Sequence, residues 1–191
     1  MNEELLLQTM RIFDTPEKWN AFCELKNQAD NIQNRWWKKL QIEVNRRFID
    51  ESNSDWDIAT WNNWDIKWYI KGESNKTLAV HFWGECFRVF YNFGDLDKEK
   101  VTNLIKENRF NAIKLCLDRI DGSNDETIGW EHRNFHFGTD MDGYFPNATS
   151  LAWYAGNRTE DFATQILNKM KKFQNPEIVN LFKEINIKCK K

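Results

Sequence analysis

The sequence predicts an α+β domain: a mostly antiparallel sheet of about five strands, flanked by helices from both ends of the chain. Three observations predict it. Trp64, Ile66, Trp68 and Ile70 alternate with Asp65, Lys67, Tyr69 and Lys71, the period-2 pattern of a half-buried strand. Leu78, Val80 and Phe82 repeat the pattern after a polar break at Gly72–Lys76, and Phe87, Val89, Tyr91 and Phe93 resume it after Gly84-Glu85. A two-residue loop led by glycine suits a type II′ hairpin, because that turn needs φ > 0 at its first position. On either side of this meander, apolar residues recur every three or four positions, as on one face of a helix.

Glu3 to Phe13 reads as a short helix with Leu6, Leu7, Met10 and Phe13 on one side. Thr15-Pro16-Glu17 is a helix start, with a capping hydroxyl and Pro at the first helical position. Phe22, Leu25, Ala29, Ile32, Trp36, Leu40, Val44 and Phe48 then form one apolar stripe ending near Asp50. A helix of about 35 residues would be about 50 Å long, so a break is expected within Asn27 to Asn34. Trp56, Ile58 and Trp61 suggest a first short strand before the turn dipeptide Asn62-Asn63. After the meander, Asp95 or Asp97 caps a helix carrying Val101, Leu104, Ile105, Ile113 and Leu117, with a kink or a division into two helices expected around Asn108-Arg109. Ile128 to Gly138 reads as a strand, and Leu151 to Ala155 as the last one.

Asn157-Arg158-Thr159-Glu160 has the form of a capping box with Asn as the cap. It precedes an amphipathic helix marked by Phe162, Ala163, Ile166, Leu167, Met170 and Phe173. Asn175-Pro176 opens a final helix on which Ile178, Leu181, Phe182 and Ile185 face inward. Cys189-Lys190-Lys191 is expected to be a frayed tail. No repeat or Pro/Gly-rich linker interrupts the chain, so one domain over residues 1–191 is expected.

Composition narrows the function classes. Apolar residues make up 41% of the 191 and charged residues 29%, the balance of a globular chain. Ten Trp and fourteen Phe supply ample core area, with a surplus that can line a binding surface. A net charge of −2 argues against a general nucleic-acid binder, which usually carries a basic excess. The acidic start has no apolar signal segment and no run of about 18 apolar residues occurs, so neither export nor a membrane span is expected. Cys23, Cys86, Cys116 and Cys189 are dispersed and form no C-x-x-C pair, which fits reduced cytoplasmic thiols better than a zinc ribbon.

Four clusters carry candidate chemistry. His132 and His136 are four apart on a predicted strand, about 13 Å, too far to bind one zinc directly. Asp140-Met141-Asp142-Gly143 begins like a calcium loop, but Gly follows the second Asp too early and Leu151 stands where the closing Glu belongs. Asp65-Ile66-Lys67 follows Asp57, and a pair of carboxylates with a lysine is the Mg²⁺-holding set of many nucleases. On a strand Asp65 and Lys67 share a face, and the expectation is that this face is turned to solvent. Arg35, Lys38, Lys39, Arg46 and Arg47 crowd the end of the long helix with Trp36 and Trp37 between them. Basic groups with aromatics can hold a phosphate backbone and stack bases, although such a run is more often a solvated helix face with its Trp residues turned to the core. No Walker A, G-x-G-x-x-G or G-x-S-x-G pattern occurs.

Taken together, Arg35-Trp36-Trp37-Lys38-Lys39-Leu40, the strands Trp64 to Ile70 and Phe87 to Gly94, Asp97-Lys98-Glu99-Lys100, Gly129-Trp130-Glu131 and the closing helix from Phe162 to Leu181 resemble a known group. The chain is similar, over about residues 20 to 185, to the uncharacterised bacterial domains that accompany PD-(D/E)XK-type nuclease domains in restriction and phage-defence loci. The resemblance implies an α+β companion domain and transfers no catalytic residue. The expected function is a non-enzymatic recognition domain of a bacterial defence or mobile-element protein. It binds a protein or a nucleic acid through Arg35, Trp36, Trp37, Lys38, Lys39, Arg46 and Arg47, with no metal or cofactor. The alternative is a Mg²⁺-dependent nuclease of PD-(D/E)XK type using Asp57, Asp65 and Lys67.

Overall fold

The period-2 segments pair in chain order. β1 (Trp56–Trp61), β2 (Asp65–Ile70), β3 (Ala79–Trp83), β4 (Cys86–Phe90) and β5 (Thr127–His132) form one sheet of order β1-β2-β3-β4-β5, antiparallel at every pairing. The computed structural model describes residues 3–51, 55–62, 64–84, 86–91, 94–117, 127–132, 135–138 and 148–191. Gly84 has φ +61° and Trp83 pairs with Cys86, the positive φ and two-residue loop that the β3–β4 hairpin requires.

Strand residues alternate between the two sheet faces. The first face carries Ile66, Trp68, Val80, Phe82, Phe87 and Val89, all buried. α2 (Pro16–Asp50), α6 (Thr159–Lys171) and α7 (Pro176–Cys189) pack on it. Trp37 meets Phe82 at 6.2 Å and Phe162 at 6.0 Å, Phe48 meets Trp68 at 6.1 Å, and Trp56 meets Phe182 at 5.0 Å. Burying each such side chain is worth about 1.5–3 kcal/mol. One buried charged pair sits in this layer: Glu131 on β5 holds Lys169 on α6. The second face carries Asp65, Lys67, His81 and Arg88.

The remaining helices are α1 (Glu3–Ile12), α3 (Lys98–Leu104), α4 (Asn111–Leu115) and α5 (Ala148–Asn157). Asp97 caps α3, its Oδ1 accepting from the amides of Glu99 and Lys100 at 3.0 and 3.1 Å. The irregular register around Asn108-Arg109 resolves into two helices, α3 and α4, with a 3-10 turn at Asn108–Phe110 leading into the second. Among the described residues, no helix is long and apolar enough to cross a membrane.

Four local expectations are corrected. α2 runs unbroken over 35 residues, because its one Pro stands in the first turn and no Gly interrupts it. Leu151 to Ala155 is helical, within α5: Leu151, Ala152 and Ala155 are buried along one helix face, and a short apolar run alone does not separate strand from helix. Asn157 does not cap α6; its Nδ2 donates back to Trp153 O at 2.9 Å, and Arg158 holds the cap position without a side-chain bond. The last residues are not frayed, since Asp97 N donates to Cys189 O at 2.7 Å and Lys191 N to Asp95 O at 3.2 Å.

Candidate functional site

The basic run of α2 lines a groove of about 690 Å³ opposite the junction of α5 and α6. Arg35, Lys38, Lys39 and Ile42 form one wall; Arg158, Thr159, Glu160 and Asp161, at the start of α6, form the other. Glycine fixes how close the walls stand. Gly156, in the last turn of α5, stands against the ring of Trp36, an approach that leaves no room for a side chain. Lys39 Nζ donates to Gly156 O at 2.8 Å, and Thr159 Oγ1 donates to Ala155 O at 2.8 Å, so both walls tie to the same helix end.

The charges in the groove are unequally engaged. Glu43 accepts from both Arg46 and Arg47, and these bonds hold its carboxyl down to about 2. Arg47 also reaches Thr164 Oγ1 at 3.0 Å, while Arg158 pairs with Asp161 at 2.9 Å. Lys38 makes one long bond, 3.4 Å, to Gln41 Oε1. Arg35, Lys38 and Lys39 are exposed, and Ile42 between them is 59% exposed. Three cations, one apolar side chain and the Glu43 carboxylate therefore line the α2 side of the groove, with Lys39 bonded to Gly156 O and Glu43 to its arginines.

The seven predicted binding residues separate into three groups. Arg35, Lys38 and Lys39 come together in the groove. Arg46 and Arg47 are held in ion pairs with Glu43. Trp37 is 2% exposed in the core and Trp36 packs against α5, so neither presents a free ring for stacking.

Asp57, Asp65 and Lys67 lie on the second sheet face. Asp57 pairs with Tyr69, so Asp57 and Asp65 stand four residues apart along neighbouring strands, about 13 Å. Mg²⁺ holds its oxygens at about 2.1 Å, so these two carboxylates do not share one ion. Asp57 Oδ2 instead accepts from Gly72 N at 3.3 Å. The expectation that Asp65 and Lys67 face solvent is overturned, since both are 7% exposed. The cause is the aromatic cover: the Lys67 ammonium lies 4.3 Å from the Trp61 ring and 4.9 Å from the Phe90 ring. No group of three or more His, Cys, Asp or Glu placed to hold a metal occurs among the described residues. The strand expected over Ile128 to Gly138 is shorter: β5 ends at His132, residues 135–138 are in no strand, and His136 is exposed; the Asp140–Gly143 stretch is outside the described residues.

Sequence reasoning missed Arg158 and the start of α6, which reach the groove only through tertiary packing, and Arg88, whose signal was its place between Cys86 and Phe90 in an alternating strand. No protein-family model, curated protein or solved structure matches this chain.

Proposed function

We propose that the chain is a non-enzymatic recognition domain that takes an acidic segment of a partner protein into the groove between α2 and α6, in the bacterial defence or mobile-element setting that the resemblance implies. The observation that carries this reading is the wall of Arg35, Lys38 and Lys39 around exposed Ile42. Carboxylates of an acidic segment would take charge-assisted bonds from the three cations, and an apolar side chain would cover Ile42. A protein is favoured over a nucleic acid on two grounds: Trp36 packs against α5 and Trp37 is buried in the core, so neither offers a ring for base stacking, and Arg46 and Arg47 are engaged by Glu43.

The test is affinity capture from source cells with the wild type and with the triple variant Arg35→Glu, Lys38→Glu, Lys39→Glu, identifying bound protein and bound nucleic acid. The expected result is a partner with an acidic segment, retained by the wild type, lost with the triple variant and weakened by salt. Recovery of nucleic acid alone, or of a small metabolite alone, would overturn the reading. Circular dichroism of the triple variant should keep the wild-type helix content, because all three side chains are exposed and the one tertiary bond lost is that of Lys39 to Gly156 O.

A further inference from the structure

The outer face of α2 changes sign along its length. Ala21, Glu24, Gln28, Asn31, Arg35, Lys38 and Ile42 are spaced alternately three and four residues apart, so they form one stripe along the helix, and all are exposed. Glu17 precedes the stripe one turn before Ala21, and Lys39 stands beside Lys38. The first half of the face is therefore acidic and the second half, which lines the groove, is basic. The acids already at the groove are committed elsewhere. Glu43 is held by Arg46 and Arg47, Asp161 by Arg158, and Glu160 lies 3.9 Å from Arg47. Apolar surface runs along the same face: Ile42 is 59% exposed among the cations, and on the flank of the stripe Leu25 is 64% and Phe22 39% exposed.

Such a stripe is complementary to itself when reversed. Two α2 helices laid antiparallel about a two-fold axis near Asn31 put Glu24 of each copy level with Lys38 of the other, Gln28 with Arg35, and Ala21 with Ile42. Opposite charges then meet twice over, and the small Ala21 leaves room for Ile42. The contact from Ala21 to Ile42 is about 32 Å long. Nothing in the fold obstructs it, because Trp37, Val44 and Phe48 project from the other side of the helix into the core and hold the two domains apart. Phe22 and Leu25 lie on the flank where Trp36 and Arg47 meet α5 and α6, and the two-fold axis keeps like flanks on one side. They therefore rest against the start of the other copy's α6, which covers their apolar surface. We infer that the acidic segment taken by the groove is the first half of α2 of a second copy of this chain, the two copies exchanging these arms in a symmetric dimer. The inference rests on the reading of the groove as a site for an acidic segment and names the source of that segment.

The test is sedimentation velocity of the full chain from about 1 µM to about 500 µM, a range that registers dissociation constants up to the millimolar. The expected result is a monomer that gives way to a dimer as concentration rises, with the dimer weakened by about 0.5 M salt. Glu24→Lys and Lys38→Glu should each weaken the dimer by about tenfold or more, because each sets like charges opposite one another twice. An equimolar mixture of the two variants should dimerise as the wild type does, since every such pairing is then a lysine with a glutamate. The chain carrying both changes should do the same. Both side chains are exposed and Lys38 gives up only a 3.4 Å bond to Gln41, so both variants fold. A chain still monomeric at about 500 µM, a dimer whose affinity ignores both variants, or a mixture that dimerises no better than either variant alone would overturn the inference. If the chain is monomeric while affinity capture returns a different protein through Arg35, Lys38 and Lys39, this inference fails and the reading of the groove stands. If it is monomeric and capture returns only nucleic acid, both fail.

Discussion

A Cβ added to Gly156 would stand 2.1 Å from Cδ1 of Trp36. The indole therefore occupies the volume that any side chain would need, and α5 is seated on α2 at that point. Gly156→Ala should destabilise the fold by about 1–3 kcal/mol, the usual cost of overpacking, despite the better helix propensity of Ala. Denaturant unfolding measures it, and pairing the change with Trp36→Leu should recover part of the loss. A neutral Gly156→Ala would show that the two helices do not meet as described.

Glu131 and Lys169 are 2% and 8% exposed and paired with each other. Removing one partner leaves the other charge buried, so Lys169→Met should cost about 3–5 kcal/mol. The double change Lys169→Met, Glu131→Leu should cost much less, because it removes both charges and keeps the volume. A double-mutant cycle on urea unfolding checks both; additive losses would rule out the coupling.

Arg109 reaches across to α7 and binds Glu184 with two bonds, 2.6 and 2.7 Å. These, and then Lys188, lower the Glu184 carboxyl from an ordinary 4.5 to about 2. Its folded pKa lies below its unfolded one, so its contribution is present above about pH 4.5 and is lost as pH falls toward 2. Glu184→Gln should therefore be less stable than the wild type at pH 6, and the gap should close over that window. The groups are exposed, so 1 M salt should shrink the gap as well. A gap that persisted at pH 2 would refute the assignment.

The separation of Asp57 from Asp65 makes a clear forecast for DNA cleavage. Plasmid or single-stranded DNA incubated with Mg²⁺ or Mn²⁺ should give the same gel pattern with the wild type and with Asp65→Ala. Cleavage by the wild type that Asp65→Ala abolishes would restore the nuclease alternative.

The sheet was legible because a period of 2 leaves its mark residue by residue: Ile66, Trp68, Val80, Phe82, Phe87 and Val89 are all buried. The helix starts at Thr15-Pro16 and Asn175-Pro176 were legible because a cap and a Pro are local chemistry, and both caps form. α5 was not, since Leu151-Ala152 and Ala155 suit a strand as readily as a helix and only tertiary contact decides. Half of the groove was written in the run Arg35 to Lys39. The other half was not, because Lys39 and Gly156 meet across 117 residues of chain. Asp65 and Lys67 mislead for another reason: alternation says which residues turn away from the core, not whether something else covers them. Here the cover is aromatic, from Trp61 and Phe90, and the sequence does not announce which rings a lysine will lie under.

The unbroken α2 has two halves in different surroundings. From Trp37 to Phe48 its inner residues are buried against the sheet and α6; from Pro16 to Asn31 none is buried, and Trp19 is 51% and Leu25 64% exposed. In a single copy the first half is held by its own hydrogen bonds and by a small, mostly exposed cluster of Phe13, Trp19 and Phe22, so it opens at lower cost, whereas a segment in the core opens only when the domain does. Amide hydrogen exchange should accordingly divide a single helix in two. The amides before Asn31 should exchange rapidly and independently of the domain's global stability. Those of Leu40 to Phe48 should exchange with it, so that a destabilising change such as Gly156→Ala speeds the second set and leaves the first untouched.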